Sequence, residues 1–175
     1  MDPLSRRRGR EIALQVLYQS DTQDGPVAEE ALRLHASHFG RPTADEPAPD
    51  DELPLSDKDH LDAREYAARI VRGFFADRDE VDALVQRASR NWRLDRMARV
   101  DRNLLRLGAW ELMRAEDVPA KAAINEAIEI AKRFGTAESP AFINGILDRC
   151  LDEIGRRDEG PRSDGARGEK KPTGR

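Results

Sequence analysis

The sequence predicts an all-α protein. Apolar residues recur at helical spacing through most of the chain, and no stretch alternates convincingly enough to read as a strand. The composition is rich in Ala, Leu, Arg and Glu and only 5% aromatic, which favours helix over sheet. Caps and breakers fall between the periodic stretches, where helix ends need them.

Ser5 is placed to cap a first helix running to about Ser20, with Ile12, Ala13, Val16 and Leu17 on one side. Gly25-Pro26 breaks the chain, and Glu29 to Phe39 reads as a second helix stopped by Gly40. Residues 41–55 hold Pro42, Pro47, Pro49 and Pro54 among Asp45, Glu46, Asp50, Asp51 and Glu52. With no glycine-centred loop and no ligand spacing, this reads as an acidic solvated linker and not a metal site. Ser56 and Asp59 form a capping-box pattern ahead of Leu61, Ala67, Ile70, Val71, Phe74 and Phe75.

The next helix carries Val81, Leu84, Val85 and Ala88. Asn91-Trp92 marks a turn, and Asp95 is a cap for a helix bearing Val100, Leu104, Leu107 and Leu112, with Leu105 and Trp110 on a flank. Apolar residues around so much of the circumference imply a helix packed on several sides, and exposed Leu and Trp residues of the middle helices are candidates for a homodimer face. Pro119 occupies a first helical position, and Ala123, Ile124, Ala127, Ile128 and Ala131 lead to Phe134 and the stop at Gly135. Ser139-Pro140 opens a last helix through Phe142, Ile143, Ile146, Leu147, Cys150 and Ile154. Beyond Gly155 the chain is charged and almost free of apolar residues, which predicts a disordered tail. The total is about seven helices, with short connections between antiparallel neighbours.

Charge and chemistry restrict the function. The formal net charge is -4, so nucleic acid must be met by a local patch. A single cysteine rules out an intrachain disulfide and makes a cytoplasmic setting the expectation. No apolar run approaches the roughly 18 residues of a membrane span. The mixed stretch after Arg6-Arg7-Arg8 is not that of a secretory signal. His35 and His38 lack further ligands at metal spacing, Cys150 falls on an apolar stripe, and Gly108 and Gly135 are isolated. The expectation is no enzyme, no metal and no cofactor.

The clearest local charge is Arg6, Arg7, Arg8 and Arg10 at the start of the first helix. Cations there oppose the helix dipole, and an anionic partner would relieve the conflict. Guanidinium groups suit phosphate forks and stacking on bases. The same cluster also reads as a solvated basic terminus. Tyr18 and Phe142 are aromatics that either stack bases or join the core. Asn125-Glu126 reads as an outer polar pair or a tie to another helix.

Several stretches taken together resemble the NusB family. They are Arg6-Arg7-Arg8-Gly9-Arg10-Glu11 with Ala13-Leu14-Gln15-Val16-Leu17-Tyr18, then Val100-Asp101-Arg102, Leu105-Arg106-Leu107 and Trp110-Glu111-Leu112. Val118-Pro119-Ala120-Lys121 through Asn125-Glu126 to Phe134-Gly135, and Phe142-Ile143-Asn144-Gly145-Ile146-Leu147, complete the set. The resemblance spans roughly residues 5–154. It implies a helical domain over 1–155, with two packed three-helix-type subdomains at roughly 5–76 and 77–155, and a charged tail at 156–175.

It also implies a transcription antitermination factor that binds boxA RNA of ribosomal RNA transcripts. Its partners would be the ribosomal protein NusE and the RNA polymerase antitermination complex. By that resemblance Arg6, Arg7, Arg8 and Arg10 match the RNA-binding arginines, Tyr18 and Phe142 match positions near RNA, and Asp101 and Arg106 match the NusE-facing region. Glu138-Ser139-Pro140-Ala141 departs from the family pattern of Asp-Ser followed by polar or basic residues. The alternatives are a helical protein-interaction module without specific RNA binding, and an accessory domain related to that of RNA cytosine methyltransferases. No Gly-rich cofactor motif favours the latter.

Overall fold

A computed structural model describes residues 1–21, 28–39 and 56–156. Among them are seven α-helices and no strand: α1 (Pro3–Ser20), α2 (Ala28–Phe39), α3 (Asp57–Ala76), α4 (Arg78–Ser89), α5 (Arg99–Arg114), α6 (Ala120–Phe134) and α7 (Ser139–Ile154). The breaks expected at Gly25-Pro26 and Gly40, the acidic linker at 41–55, and all of the tail beyond Arg156 lie outside the described residues.

Helix starts follow local hydrogen bonding. Asp2, not Ser5, caps α1 by accepting from Leu4 N at 2.8 Å. Ser5 is buried within the first turn and its Oγ donates to Asp59 at 3.4 Å. The Ser56–Asp59 capping box forms in both directions, with bonds of 3.1 and 3.2 Å. Asp95 does not cap α5; it sits in a 3-10 turn (Leu94–Arg96), pairs with Arg93, and leaves Ala98 at the cap position. Pro119 and Ser139 are each displaced by one position from the expected role. Pro119 precedes the first residue of α6, and Ser139 is already helical, its Oγ accepting from Thr136 N at 2.9 Å.

α1, α2 and α3 pack on one another, α4 to α7 form a second group, and α1 against α5 joins the two. One continuous core runs from Ala13 and Leu17 through Ile70, Leu104 and Leu107 to Ile130 and Leu147. His35, which the sequence left without ligands at metal spacing, is buried and meets Gln15 at 3.0 Å, tying α2 to α1. The apolar flank of α5 is used inside the chain. Trp110 lies so close to Gly73 of α3 that a Cβ there would sit 2.1 Å from the indole. Leu105 is fully buried as well, so both of these α5 residues pack inside the chain, while Leu61 of α3 and Trp92 after α4 are exposed.

Gly155 ends α7 in the left-handed region at φ 69°, where glycine has no Cβ to clash. Arg156 then turns back over the end of α5 and donates to the carbonyls of Glu111, Leu112, Ala115 and Val118. Leu112 is in the last turn of α5, where carbonyls lack a partner within the helix; Ala115 and Val118 follow the helix. Arg156 therefore belongs to the folded body and not to the tail.

Candidate nucleic-acid interface

The four arginines of α1 take two different environments. Arg10 is 2% exposed and its Nε donates to both carboxylate oxygens of Glu111 at 3.0 Å. Tyr66, buried on α3, donates its hydroxyl to the same carboxylate. Burial and the adjacent Glu111 charge push the Tyr66 hydroxyl well above the usual phenol range, so it stays a donor. Burial opposes charge on Arg10, yet the Glu111 carboxylate holds its guanidinium protonated beyond the ordinary value. Close approach makes this arrangement possible: a Cβ on Gly9 would stand 2.8 Å from the Ala63 carbonyl.

Arg6, Arg7 and Arg8 reach the surface, each docked on a carboxylate. Arg6 donates to the Asp117 carbonyl at 3.2 Å and its carboxylate at 3.3 Å. Arg69 of α3 holds that same carboxylate at 2.6 and 3.0 Å, which keeps Asp117 below the usual carboxylate range. Arg7 makes a two-pronged pair with Glu126 of α6, both bonds 2.7 Å; Glu126 is thus the interhelical tie. Arg8 meets buried Glu11 at 3.0 Å, and Arg133 approaches Glu11 from the other side at 3.0 Å. The cationic helix start is therefore compensated from within the molecule. Arg6 Nε nonetheless remains buried with no hydrogen-bond partner among the described residues.

The pairs of Arg7 with Glu126 and of Glu11 with Arg133 link the first half of α1 to the second half of α6. At the far end of α1, Tyr18 is 40% exposed and the Arg99 guanidinium covers its ring at 4.9 Å. Phe142 is half-buried against the core, its ring centroid 5.8 Å from that of Trp92 in a T-shaped pair. Trp92 is the most exposed aromatic of the described residues and went unassigned in the sequence. The signal was there: Arg87, Arg90, Arg93, Arg96 and Arg99 recur at every third position around it, with Asp95 the only acid between them.

Asp101 and Arg106 were expected to face a protein partner. Both are buried. Arg106 donates to Asp82 at 2.7 and 2.8 Å and to Asp21 at 3.0 Å, with its plane over the Phe74 ring at 5.5 Å. It is a tie between α5, α4 and the end of α1, and it borders an open cleft with Asp21, Asp82, Gln86, Leu94 and Arg102. Asp101 Oδ1 is buried without a hydrogen-bond partner among the described residues.

No group of His, Cys, Asp and Glu among the described residues is arranged to hold a metal ion. Burial pushes the Cys150 thiol up to about 12, which makes it a poor nucleophile. No helix among the described residues is long and apolar enough to cross a membrane.

The fold and this surface define a small helical adaptor, a body of packed helices that displays guanidinium and aromatic groups and gathers no reactive constellation among its described residues. Residues 7–152 match the model of the NusB family. A transcription antitermination protein NusB from Myxococcus xanthus is 48% identical over 145 residues, covering 83% of this chain and 93% of its own. A T. maritima NusB structure superposes with a TM-score of 0.66 at 34% identity, covering 85% of this chain and 91% of that one. A structure of the antitermination factors NusB and NusE in complex with dsRNA shares the fold, with a TM-score of 0.68 at 21% identity, over 87% of this chain and 99% of that one. The chain belongs to the NusB family. Its role is in transcription antitermination, and it is not an enzyme.

Proposed function

We propose that the chain is an RNA-binding adaptor of the antitermination complex, and that single-stranded boxA-type RNA lies along α1. Arg6, Arg7 and Arg8 meet phosphates at one end, and Tyr18 and Phe142 meet bases at the other. Arg10, which the sequence grouped with them, acts from the core by fixing the face of α1 they stand on. The observation that carries this reading is the placement of three surface guanidiniums and an exposed Tyr18 on one helix. Phosphates suit such forks and unstacked bases suit such rings. NusE docks over the first turns of α5, where Asp101 holds an unpartnered oxygen and Arg106 borders the cleft. The related NusB was solved bound to NusE and RNA, which supports both partners. This work takes place in the cytoplasm, beside RNA polymerase.

Anisotropy of labelled boxA RNA tests the reading. The wild type binds, and Arg6, Arg7 and Arg8 changed together to Ala lose at least tenfold in affinity. Equal affinity for the triple variant sinks it. NusE tightens RNA binding by about 1–3 kcal/mol of coupling; no change on adding NusE removes that step.

A further inference from the structure

Trp92 is held as though for display. α4 ends at Ser89, and Arg90 takes φ 48°, the left-handed region that a residue with a side chain rarely enters. The turn it makes is braced from below. Gln86 Nε2 and buried Ser89 Oγ both donate to the Trp92 carbonyl, at 3.1 and 2.8 Å, and Gln86 Oε1 accepts from Leu94 N at 3.0 Å. The backbone on either side of the indole is therefore fixed, while the indole itself is 60% exposed. Among the described residues its aromatic neighbour is Phe142, in a T-shaped pair at an interplanar angle of 80°. A large apolar ring gains stability by leaving water, and this one is left in water on a strained, well-braced turn.

The surroundings indicate the occupant. Between residues 87 and 99 stand five arginines and one acid, in a chain whose net charge is -4. Arg90, Arg93 and Arg96 are exposed within four residues of the indole in sequence, Arg93 paired with Asp95 at 2.9 Å. Arg99 closes the run over the Tyr18 ring, so the run connects the two aromatic positions of the RNA reading. An exposed π-face within a run of guanidiniums is the combination that takes an unstacked base with its phosphates.

We propose that Trp92 is a base-stacking residue of this interface, with Phe142 supporting its edge and Arg90 and Arg96 on the flanking phosphates. The proposal rests on the RNA reading above and adds a residue to it. A protein hot spot is the rival use of an exposed tryptophan, but the arginine run favours a polyanion.

The chain has two tryptophans, and the other, Trp110, is buried. Intrinsic emission thus reports on Trp92, with Trp92→Phe giving the Trp110 background. Labelled boxA RNA is titrated while its anisotropy and the protein emission are followed together. Emission quenches in step with binding, Trp92→Ala weakens affinity roughly fivefold to 100-fold, and Trp92→Phe retains most of it. Both variants melt as the wild type does. If RNA binds with no change in emission and equal affinity for Trp92→Ala, the stacking role is refuted and the RNA reading stands. If the variant loses NusE instead, with RNA affinity intact, the residue belongs to a protein interface and the proposal is overturned. If the wild type binds no RNA at all, both readings go. Should Trp92→Ala fail to fold, the wild-type emission and the Phe variant decide alone.

Discussion

Arg10 and Glu111 form a buried ion pair 101 residues apart in sequence, with both bonds at 3.0 Å and 2% and 0% of their side chains exposed. Removing one member leaves the other charge desolvated and uncompensated, a loss of about 3–5 kcal/mol. Arg10→Met and Glu111→Leu should each lower the midpoint of urea unfolding by that measure. The double variant should be less damaged than the two losses added, because no orphan charge remains. Strictly additive losses would mean that the two residues act independently.

Asp21 gives a pH dependence. Burial works to raise its carboxyl, but bonds from Arg102 and Arg106 prevail and hold it below the usual carboxylate value. A group with a depressed folded-state pKa stabilises the fold above its unfolded pKa, near 4, and the gain is lost as pH falls through the folded value. Stability should therefore fall below about pH 4, and Asp21→Asn should flatten that limb. At pH 7 the same variant should cost on the order of 3 kcal/mol, because two guanidiniums lose their common partner. Unchanged acid unfolding in Asp21→Asn would place the titrating group elsewhere.

The helices were legible because each buries a stripe at 3.6-residue spacing, and the sequence contains that spacing in full. Caps slipped by one to three residues because capping residue types stand close together at these starts: Asp2 takes the Leu4 amide while Ser5 turns to Asp59, and Ser139 accepts from Thr136 N ahead of the helix. The fate of the arginines was not legible. The i, i+4 rule correctly gives Arg6 and Arg10 one face, since both guanidiniums lie beside the Tyr66 ring at 5.8 and 5.4 Å. Only tertiary structure shows that α3 covers that face at Arg10 and leaves it half open at Arg6. The compensating Asp117 and Glu126 lie 111 and 119 residues away, beyond any local rule. The basic run around Trp92 could have been read from its spacing of three, but it straddles a helix end and so forms no single stripe.

Internal pairing also sets the electrostatics of binding. Three surface guanidiniums of α1 on phosphates contribute about -2 to the slope of log affinity against log salt, less than all four arginines of α1 would, and Arg90 and Arg96 add about -0.7 each. Asp117 pairs with both Arg6 and Arg69, so on the proposed reading a phosphate at Arg6 has to displace it. Asp117→Asn should tighten RNA binding severalfold and steepen the slope by about 0.7 for each phosphate gained. Titrations at several salt concentrations check both; weaker binding by Asp117→Asn would mean that the carboxylate orients Arg6 for the ligand and does not compete for it.

Tyr18 and Phe142 should separate by what else they hold. Tyr18 is exposed, with a cation on its ring and little apolar contact to lose. Tyr18→Ala should leave the melting temperature within a few degrees and weaken RNA binding by about 1–3 kcal/mol. Phe142 is half-buried against the core and supports the edge of Trp92. Phe142→Ala should lower stability by roughly 2 kcal/mol, below the full cost of a buried Phe because the ring is only partly covered, and should also loosen the indole. Its RNA defect should therefore come with a blurred Trp92 emission in the free protein, while that of Tyr18→Ala should not. If Phe142→Ala loses RNA with stability and emission both unchanged, Phe142 touches the base directly and does not support Trp92.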